Sequence, residues 1–198
     1  MDIKTNSIID MIELNLNKSI DQITQKELDN VKYLRVYRNT SIEESVVDIN
    51  DLKYFENIEE IYIENCMVDE IYITNLKSLK NLKKIEFIHC DFIDDIREYF
   101  NSLNLEELII NDVIGIEDYI FSNIKKLVII NSDFNFYVSF VDTLDISRCS
   151  NIKTNLYELD VNELIINANQ LTDEFIYLPC KIIIKNEYDE VIKVIDHD

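Results

Sequence analysis

One nine-residue phrase recurs along this chain of 198 residues and constrains its fold more than any other feature. The phrase reads apolar-x-x-apolar-x-apolar-x-x-(Asn, Cys or Ser). Its seven copies begin at Val31, Ile58, Leu82, Leu105, Ile124, Val141 and Val161, and a weaker eighth copy runs through Ile182 and Ile184. Successive copies start 27, 24, 23, 19, 17 and 20 residues apart. Self-similarity at such a period is typical of folds that stack one structural unit on the next.

The alternation inside the phrase predicts its local structure. Apolar residues two apart, such as Ile61 and Ile63, point to the same side of a β-strand and mark one buried face. A single unit has too little apolar surface to fold alone, so neighbouring units must share a core. Stacking then aligns the strands in one parallel sheet. The small polar ninth residue, such as Cys66, is expected to turn the chain and to hydrogen-bond backbone groups there.

The phrase resembles the leucine-rich repeat, whose pattern is L-x-x-L-x-L-x-x-N/C-x-L. The resemblance covers residues 23–187 and implies an α/β leucine-rich-repeat solenoid of about seven to eight repeats, with a curved parallel β-sheet on the concave face and short helices or irregular returns on the convex face. Residues 5–30 resemble the helical cap of bacterial internalin-like proteins, and Thr24 with Glu27 forms a capping-box signature. We therefore expect a single domain, 1–198, with a helical N-terminal cap over 1–30, repeats over 31–187 and a C-terminal capping hairpin over 182–198.

The segments between the copies shorten along the chain. Residues 92–103 carry apolar side chains at helical spacing and predict a short amphipathic helix. Helical turns are expected over 50–55 and 75–82, whereas the later, shorter connections leave room only for extended or 3₁₀ structure. Because Gly115 is the only glycine, asparagine is expected to supply left-handed turns.

The charge balance narrows the class of partner. The chain has 39 acidic and 19 basic residues, a formal net charge of −20 at pH 7. Phosphate backbones and anionic membranes repel such a chain, so we expect no nucleic-acid or membrane partner and favour a basic protein, with solubility alone as the alternative explanation. The sequence has no segment typical of a signal peptide or a transmembrane helix, which predicts a cytoplasmic protein with four reduced cysteines.

Little in the sequence favours catalysis or a cofactor. The two histidines are His89 and His197, and one glycine cannot build a glycine-rich phosphate loop. The cluster of Cys66, His89, Cys90 and Asp91 suggests a zinc site. Strand alternation, however, directs Cys90 inward and His89 toward solvent, so they do not converge on one ion. Cys66 and Cys90 are expected to be neighbours, close enough for a disulfide yet reduced. We predict a protein that is not an enzyme and that has no metal site or cofactor.

Positions flanking the buried strand residues form the predicted concave face, on which acidic and basic residues balance. Aliphatic residues at its centre, rimmed by aromatic and charged ones, give the composition of a protein-binding surface; the alternative is that aliphatic residues simply favour strands. The predicted partner-binding residues are Tyr37, Tyr62, Glu86, Ile88, His89, Ile109, Asp112, Val128 and Ile130. A second candidate is an acidic edge just beyond the strands, represented by Asp94, Asp95, Glu117 and Asp118.

These observations favour a non-catalytic protein-protein interaction module that binds a protein partner through the concave face or the acidic edge. Small size, acidity and the lack of an export signal favour a bacterial cytosolic inhibitor or immunity-type protein. Two alternatives stay open at this point: an effector exported by a non-classical route, and a structural adaptor in a larger assembly.

Overall fold

The computed structural model describes residues 2–43, 46–93, 102–116, 120–133, 135, 137–149, 151–153 and 158–196. Within these residues the helices are α1 (Asn6–Leu16), α2 (Gln25–Leu28), α3 (Glu70–Lys77) and α4 (Asp173–Ile176), with 3₁₀ turns at Ile20–Gln22, Ile49–Tyr54 and Ala168–Gln170. The strands are β1 (Tyr33–Tyr37), β2 (Glu60–Glu64), β3 (Met67–Val68), β4 (Lys84–Ile88), β5 (Asp91–Phe92), β6 (Leu105–Asn111), β7 (Ile120–Ile130), β8 (Tyr137–Arg148), β9 (Val161–Asn167), β10 (Lys181–Lys185) and β11 (Val191–Ile195).

Nine of the strands form one large sheet in the order β1-β2-β4-β6-β7-β8-β9-β10-β11. All neighbours pair in parallel except β10 and β11, which are antiparallel. The order runs from β1 at one edge to β11 at the other, so the sheet is open. The short strands β3 and β5 pair separately, also in parallel. The protein therefore has a mixed α/β fold built on a mostly parallel sheet.

Equivalent positions of the phrase lie side by side in this sheet. The fourth position forms one continuous row in which each side chain is 0% exposed, made of Leu34, Ile61, Ile85, Leu108, Leu127, Leu144, Leu164 and Ile182. Burying one such side chain stabilises a fold by roughly 1.5–3 kcal/mol, so the row is a main part of the core. The prediction of parallel strands whose fourth-position side chains form a buried face is confirmed.

The amino-terminal segment packs against β1, the first strand of the sheet. Ile8 and Ile12 of α1 are each 1% exposed and belong to the core. The backbone N–H of Tyr37 in β1 donates to the Ser7 hydroxyl across 3.0 Å, so a side chain of α1 satisfies a backbone group at the edge of the sheet. The capping box predicted at the start of α2 is confirmed, with Thr24 and Glu27 exchanging side-chain and backbone hydrogen bonds.

The connections agree with the predictions in part. Helical structure occurs in the earlier connections as expected, although α3 begins at Glu70, where the Asp69 carboxylate accepts from the backbone N–H of Tyr72 across 2.8 Å. The strands β7 and β8 confirm extended later connections, but the expectation of extended or 3₁₀ structure alone is wrong at α4, a short α-helix. The helix predicted over 92–103 lies largely outside the described residues.

The predicted carboxyl-terminal hairpin is confirmed as β10 and β11. Its second strand does not bury the end of the sheet, however. Val191, Ile192 and Val194 in β11 are 56%, 56% and 48% exposed, so apolar side chains are accessible at this edge. The hairpin thus extends the sheet by one antiparallel strand.

Asparagine supplies left-handed turns, as predicted, at Asn17, Asn65, Asn123 and Asn131. Within the phrase, however, the chain turns one residue before the ninth position, where Asn65, His89, Asp112 and Asn131 have φ between 50° and 56°. Each of these residues donates its backbone N–H to a carbonyl of the next large-sheet strand. The ninth residue itself bonds to nearby backbone, as expected: Cys66 Sγ donates to the Glu64 carbonyl across 3.2 Å, and Ser132 Oγ donates to the Ile130 carbonyl across 3.1 Å.

Candidate binding surfaces

A ladder of alternating charge runs along the starts of the strands. Glu59 lies between Lys32 and Lys83, with N–O distances of 3.1 and 2.9 Å, and Lys125 lies 3.5 Å from Glu106. Backbone hydrogen bonds from Glu59 to Lys32, from Lys83 to Glu59 and from Glu106 to Lys83 hold these residues in one row. A hydrogen bond from Lys83 and, to a smaller extent, one from Lys32 lower the pKa of Glu59.

A second ladder lies on the polar face, which we define as the side of the large sheet opposite the buried row. Glu107 is 2.8 Å from both Lys84 and Lys126, and Glu163 is 2.8 Å from Lys181. Burial raises the pKa of Glu107, but hydrogen bonds from Lys126 and Lys84 outweigh it and lower that pKa overall. The acidic and basic residues that balance one another on this face therefore form direct ion pairs between neighbouring strands.

The four aliphatic residues predicted at the centre of the binding surface lie together on the polar face, and we call them the apolar centre. Ile109 is directly opposite Val128, while Ile88 and Ile130 flank Asn111 in the neighbouring row. Three of them are half-buried. Val128 is only 3% exposed, so the prediction that it is accessible to a partner is wrong.

A buried ion pair adjoins the apolar centre and helps to explain why Val128 is buried. Asp145 is opposite Val128 in the sheet, and its side chain is only 5% exposed. One carboxylate oxygen accepts from the backbone N–H and hydroxyl of Ser147 at 3.0 and 2.6 Å, and the other accepts from Lys185 Nζ at 3.2 Å. Because Lys185 is 40 residues away in sequence, strand alternation alone could not predict this contact.

Glu86 occupies the polar face beside Ile109. Burial raises the pKa of its carboxyl group, and this effect exceeds the lowering caused by Lys84 and by a hydrogen bond from Asn111. A carboxyl group whose pKa is higher in the folded than in the unfolded state favours folding fully below the unfolded pKa. That contribution is lost as the pH rises through the folded pKa.

Glu86→Gln is therefore expected to raise the midpoint of thermal unfolding at pH 7, because glutamine removes the partly buried charge. Below about pH 4 the variant and the native chain should unfold at the same temperature, since Glu86 is then protonated. Thermal unfolding followed by circular dichroism at both pH values tests this, with Glu60→Gln, an exposed carboxylate in the neighbouring strand, as control. A midpoint at pH 7 that is unchanged or lower in Glu86→Gln would contradict the prediction.

Aromatic residues lie at the β1 and β2 end of the polar face. The rings of Tyr33 and Tyr62 are 5.0 Å apart, and the Arg35 guanidinium stacks 5.6 Å from the centre of the Tyr37 ring. The same guanidinium pairs with Glu64 across 2.5 Å. Tyr37 and Tyr62 are both half-buried, so each presents part of its ring at this rim.

His89 and Asp112 are neighbours in the row of left-handed turns. His89 Nδ1 lies 2.7 Å from Asp112 Oδ2, and the two side chains are 52% and 55% exposed. Cys90, the next residue, is 0% exposed, so the expected divergence of His89 and Cys90 is confirmed. The predicted acidic-edge residues Asp94, Asp95, Glu117 and Asp118 lie outside the described residues.

The sequence did not predict a cleft beyond the carboxyl ends of β1 and β2. Its volume is about 420 Å³, and its walls include Val46, Met67 and Ile71, which are 45%, 58% and 61% exposed. The polar residues Arg38, Asp69 and Tyr72 also line it, together with Cys66. The available signal was the presence of the apolar residues Met67 and Ile71 shortly after the turn at Asn65.

Comparison with known families does not classify the chain, because no family model matches it. In the described ranges, no group of three or more His, Cys, Asp and Glu side chains is arranged to hold a metal ion. No helix of the described structure has the length and apolar character needed to cross a membrane.

Proposed function

We propose that this chain is a leucine-rich-repeat protein that binds a protein partner through the polar face and catalyses no reaction. The main support is the common register of eight parallel strands, each carrying the same phrase, because stacked units of this kind present a long row of equivalent side chains. In this proposal the polar face is the concave surface of a solenoid.

The arrangement of charge on the polar face favours an apolar anchor for binding. The lysines and glutamates of the second ladder already neutralise one another, so a partner need not supply matching charges there. Aromatic and aliphatic side chains that become fully desolvated usually contribute most of the affinity. Tyr62, Ile88, Ile109 and Ile130 are the residues we place at the contact.

The excess negative charge lies outside this contact and suits a basic partner. Like and unlike charges at a rim mainly change the association rate and its salt dependence. We propose a cytosolic inhibitor or immunity-type role, with a non-classically exported effector or a structural adaptor as alternatives. Detection of the protein in the culture medium of its native host would favour the effector, whereas a neighbouring gene for a basic toxin would favour the inhibitor.

Ile130→Asp is expected to weaken partner binding at least about tenfold, because it places a charge in a contact that must lose water. The matched control is Ile120→Asp in the same strand, where the side chain is 47% exposed and lies outside the apolar centre. Each variant is immobilised and its captured proteins are quantified by mass spectrometry against the native chain.

The proposal requires at least one protein that the native chain and Ile120→Asp retain and that Ile130→Asp loses. Circular dichroism establishes whether each variant is folded, and Tyr62→Ala tests the same contact if Ile130→Asp does not fold. Equal capture by the native chain, Ile130→Asp and Tyr62→Ala would exclude the polar face as the binding surface.

A further inference from the structure

The two edges of the large sheet end differently. At the β1 edge, α1 packs against the strand, and the Ser7 hydroxyl accepts from the backbone N–H of Tyr37 across 3.0 Å. Within the described ranges, β11 is the last strand at the other edge, and β10 is its only neighbour in the sheet. Alternate backbone N–H and C=O groups of such a strand point away from the sheet, where they can pair with another extended segment.

The side chains of β11 are also accessible. Val191, Ile192 and Val194 are 56%, 56% and 48% exposed, and Ile195 packs only partly against the core. An exposed apolar edge strand is a template for pairing with a further strand. The backbone and the side chains of β11 therefore both suit the addition of a strand at this edge.

Three charged residues give β11 a symmetric order of charge. Glu190 precedes the strand, Lys193 lies at its centre and Asp196 follows it, and all three are exposed. Within the described part of the chain, none of them has a side chain of opposite charge at ion-pair distance. Glu190 accepts from Asn186 Nδ2 across 2.8 Å, and Lys181, across the hairpin from Asp196, is already in an ion pair with β9. The three charges thus remain available to a partner.

This order of charge opposes pairing between two copies of the chain. If two β11 strands overlap fully as an antiparallel pair, Lys193 lies opposite its own copy and Glu190 lies opposite Asp196 at each end. Like charges that face one another across a strand pair are destabilising. The net charge of −20 on each copy adds a general repulsion. A second copy of the chain is therefore a poor occupant of this edge.

We infer that an extended segment of a basic partner protein pairs with β11 and continues the sheet. The segment that fits has lysine or arginine at its ends, opposite Glu190 and Asp196, and an acidic residue at its centre, opposite Lys193. Aliphatic β-branched residues lie between these charges. In strand addition the backbone hydrogen bonds supply affinity and the side chains supply specificity. The site uses the edge of the sheet and does not depend on the proposed role of the polar face.

Titration of the isotope-labelled full chain with the capped peptide Lys-Val-Val-Glu-Val-Val-Lys tests the inference. We expect saturable NMR shifts of the methyl groups of Val191, Ile192 and Val194 below about 1 mM peptide. Hydrogen exchange should slow at the β11 amides that face away from β10, because these become paired. The control peptide Val-Glu-Val-Lys-Val-Lys-Val has the same composition and net charge in another order, so its affinity should be at least about fivefold weaker.

Reversal of the two end charges provides the matched variant. Glu190→Lys with Asp196→Lys should weaken binding of the first peptide at least about fivefold and should strengthen binding of Glu-Val-Val-Glu-Val-Val-Glu by a similar factor. Asp10→Lys with Glu56→Lys changes the net charge equally at exposed residues near β1 and β2, and should change either affinity by less than about twofold. Circular dichroism establishes folding, and Glu190→Gln with Asp196→Asn serves if the lysine variant does not fold.

The inference is overturned by the absence of saturable shifts in β11 up to about 2 mM peptide, by unchanged hydrogen exchange there, or by equal affinities for the two peptides of equal composition. Unchanged binding in the variants of Glu190 and Asp196 would also overturn it. So would sedimentation of the chain alone as a dimer with β11 protected from exchange, since a second copy would then occupy the edge. Ile130→Asp should bind the peptide as the native chain does, so this site and the polar-face proposal can fail separately.

Discussion

Gly115→Ala is expected to destabilise the fold by at least about 2 kcal/mol, because alanine would be strained there and would also collide with fixed backbone. Gly115 has φ +82°, and a Cβ atom at this position would lie 2.1 Å from the Phe92 carbonyl oxygen. Phe92 cannot easily move, since its backbone N–H donates to Ile114 and its ring packs 5.1 Å from that of Phe87. Urea unfolding measures the loss.

Asn131→Ala is the control for backbone conformation alone. Asn131 also has a left-handed backbone, with φ 50°, and its side chain is exposed. Its replacement should cost about 1 kcal/mol, in keeping with the usual penalty for a residue other than glycine or asparagine in this region. If Gly115→Ala costs no more than Asn131→Ala, the close contact with Phe92 is not a determinant of stability.

Asp51→Ala is expected to cost about 3 kcal/mol, since it leaves buried donors without an acceptor. Asp51 is 2% exposed, and its carboxylate accepts from the backbone N–H groups of Lys4 and Thr5 at 2.8 and 2.7 Å. This contact ties the start of α1 to the connection between β1 and β2. Urea unfolding gives the free energy, and faster hydrogen exchange at the Tyr37 N–H would report that α1 has separated from β1.

Asp51→Asn retains one acceptor oxygen and should cost less than Asp51→Ala. Asp10→Ala removes an exposed carboxylate from α1 and should change the stability by less than about 0.5 kcal/mol. A loss in Asp51→Ala no larger than that in Asp10→Ala would show that the amino-terminal segment is held by its apolar contacts alone.

The sheet could be predicted because its information is local and repeated. The spacing of Ile61 and Ile63 assigns a buried face to one strand, and the same spacing in seven copies aligns the strands with one another. The position of the turn within the phrase was misplaced by one residue, because asparagine, histidine and aspartate share the left-handed position whereas its neighbour is more regularly Cys or Ser. The short helix α4 was missed because four residues are too few to show helical periodicity.

The candidate surfaces were less predictable because they depend on contacts between distant residues. The composition near Val128 suggested that this side chain is accessible. Val128 is instead buried beside the ion pair of Asp145 with Lys185, a contact that depends on how β8 packs against more distant strands. Predicting the cleft would similarly have required the direction that α3 takes after Asp69. The ladders had a visible signal in the sequence, since lysine and glutamate alternate at equivalent positions. That these residues form ion pairs could be concluded only once the order of the strands was known.

The alternating ladders limit how such a chain can lengthen or shorten through evolution. Loss of the one unit that carries Glu59 would place Lys32 beside Lys83 and replace an attraction with a repulsion. Loss of two consecutive units would instead place Lys32 beside Glu106 and restore a pair of opposite charges. Between Lys32 and Lys125, duplication or deletion in pairs is therefore the change that keeps opposite charges side by side.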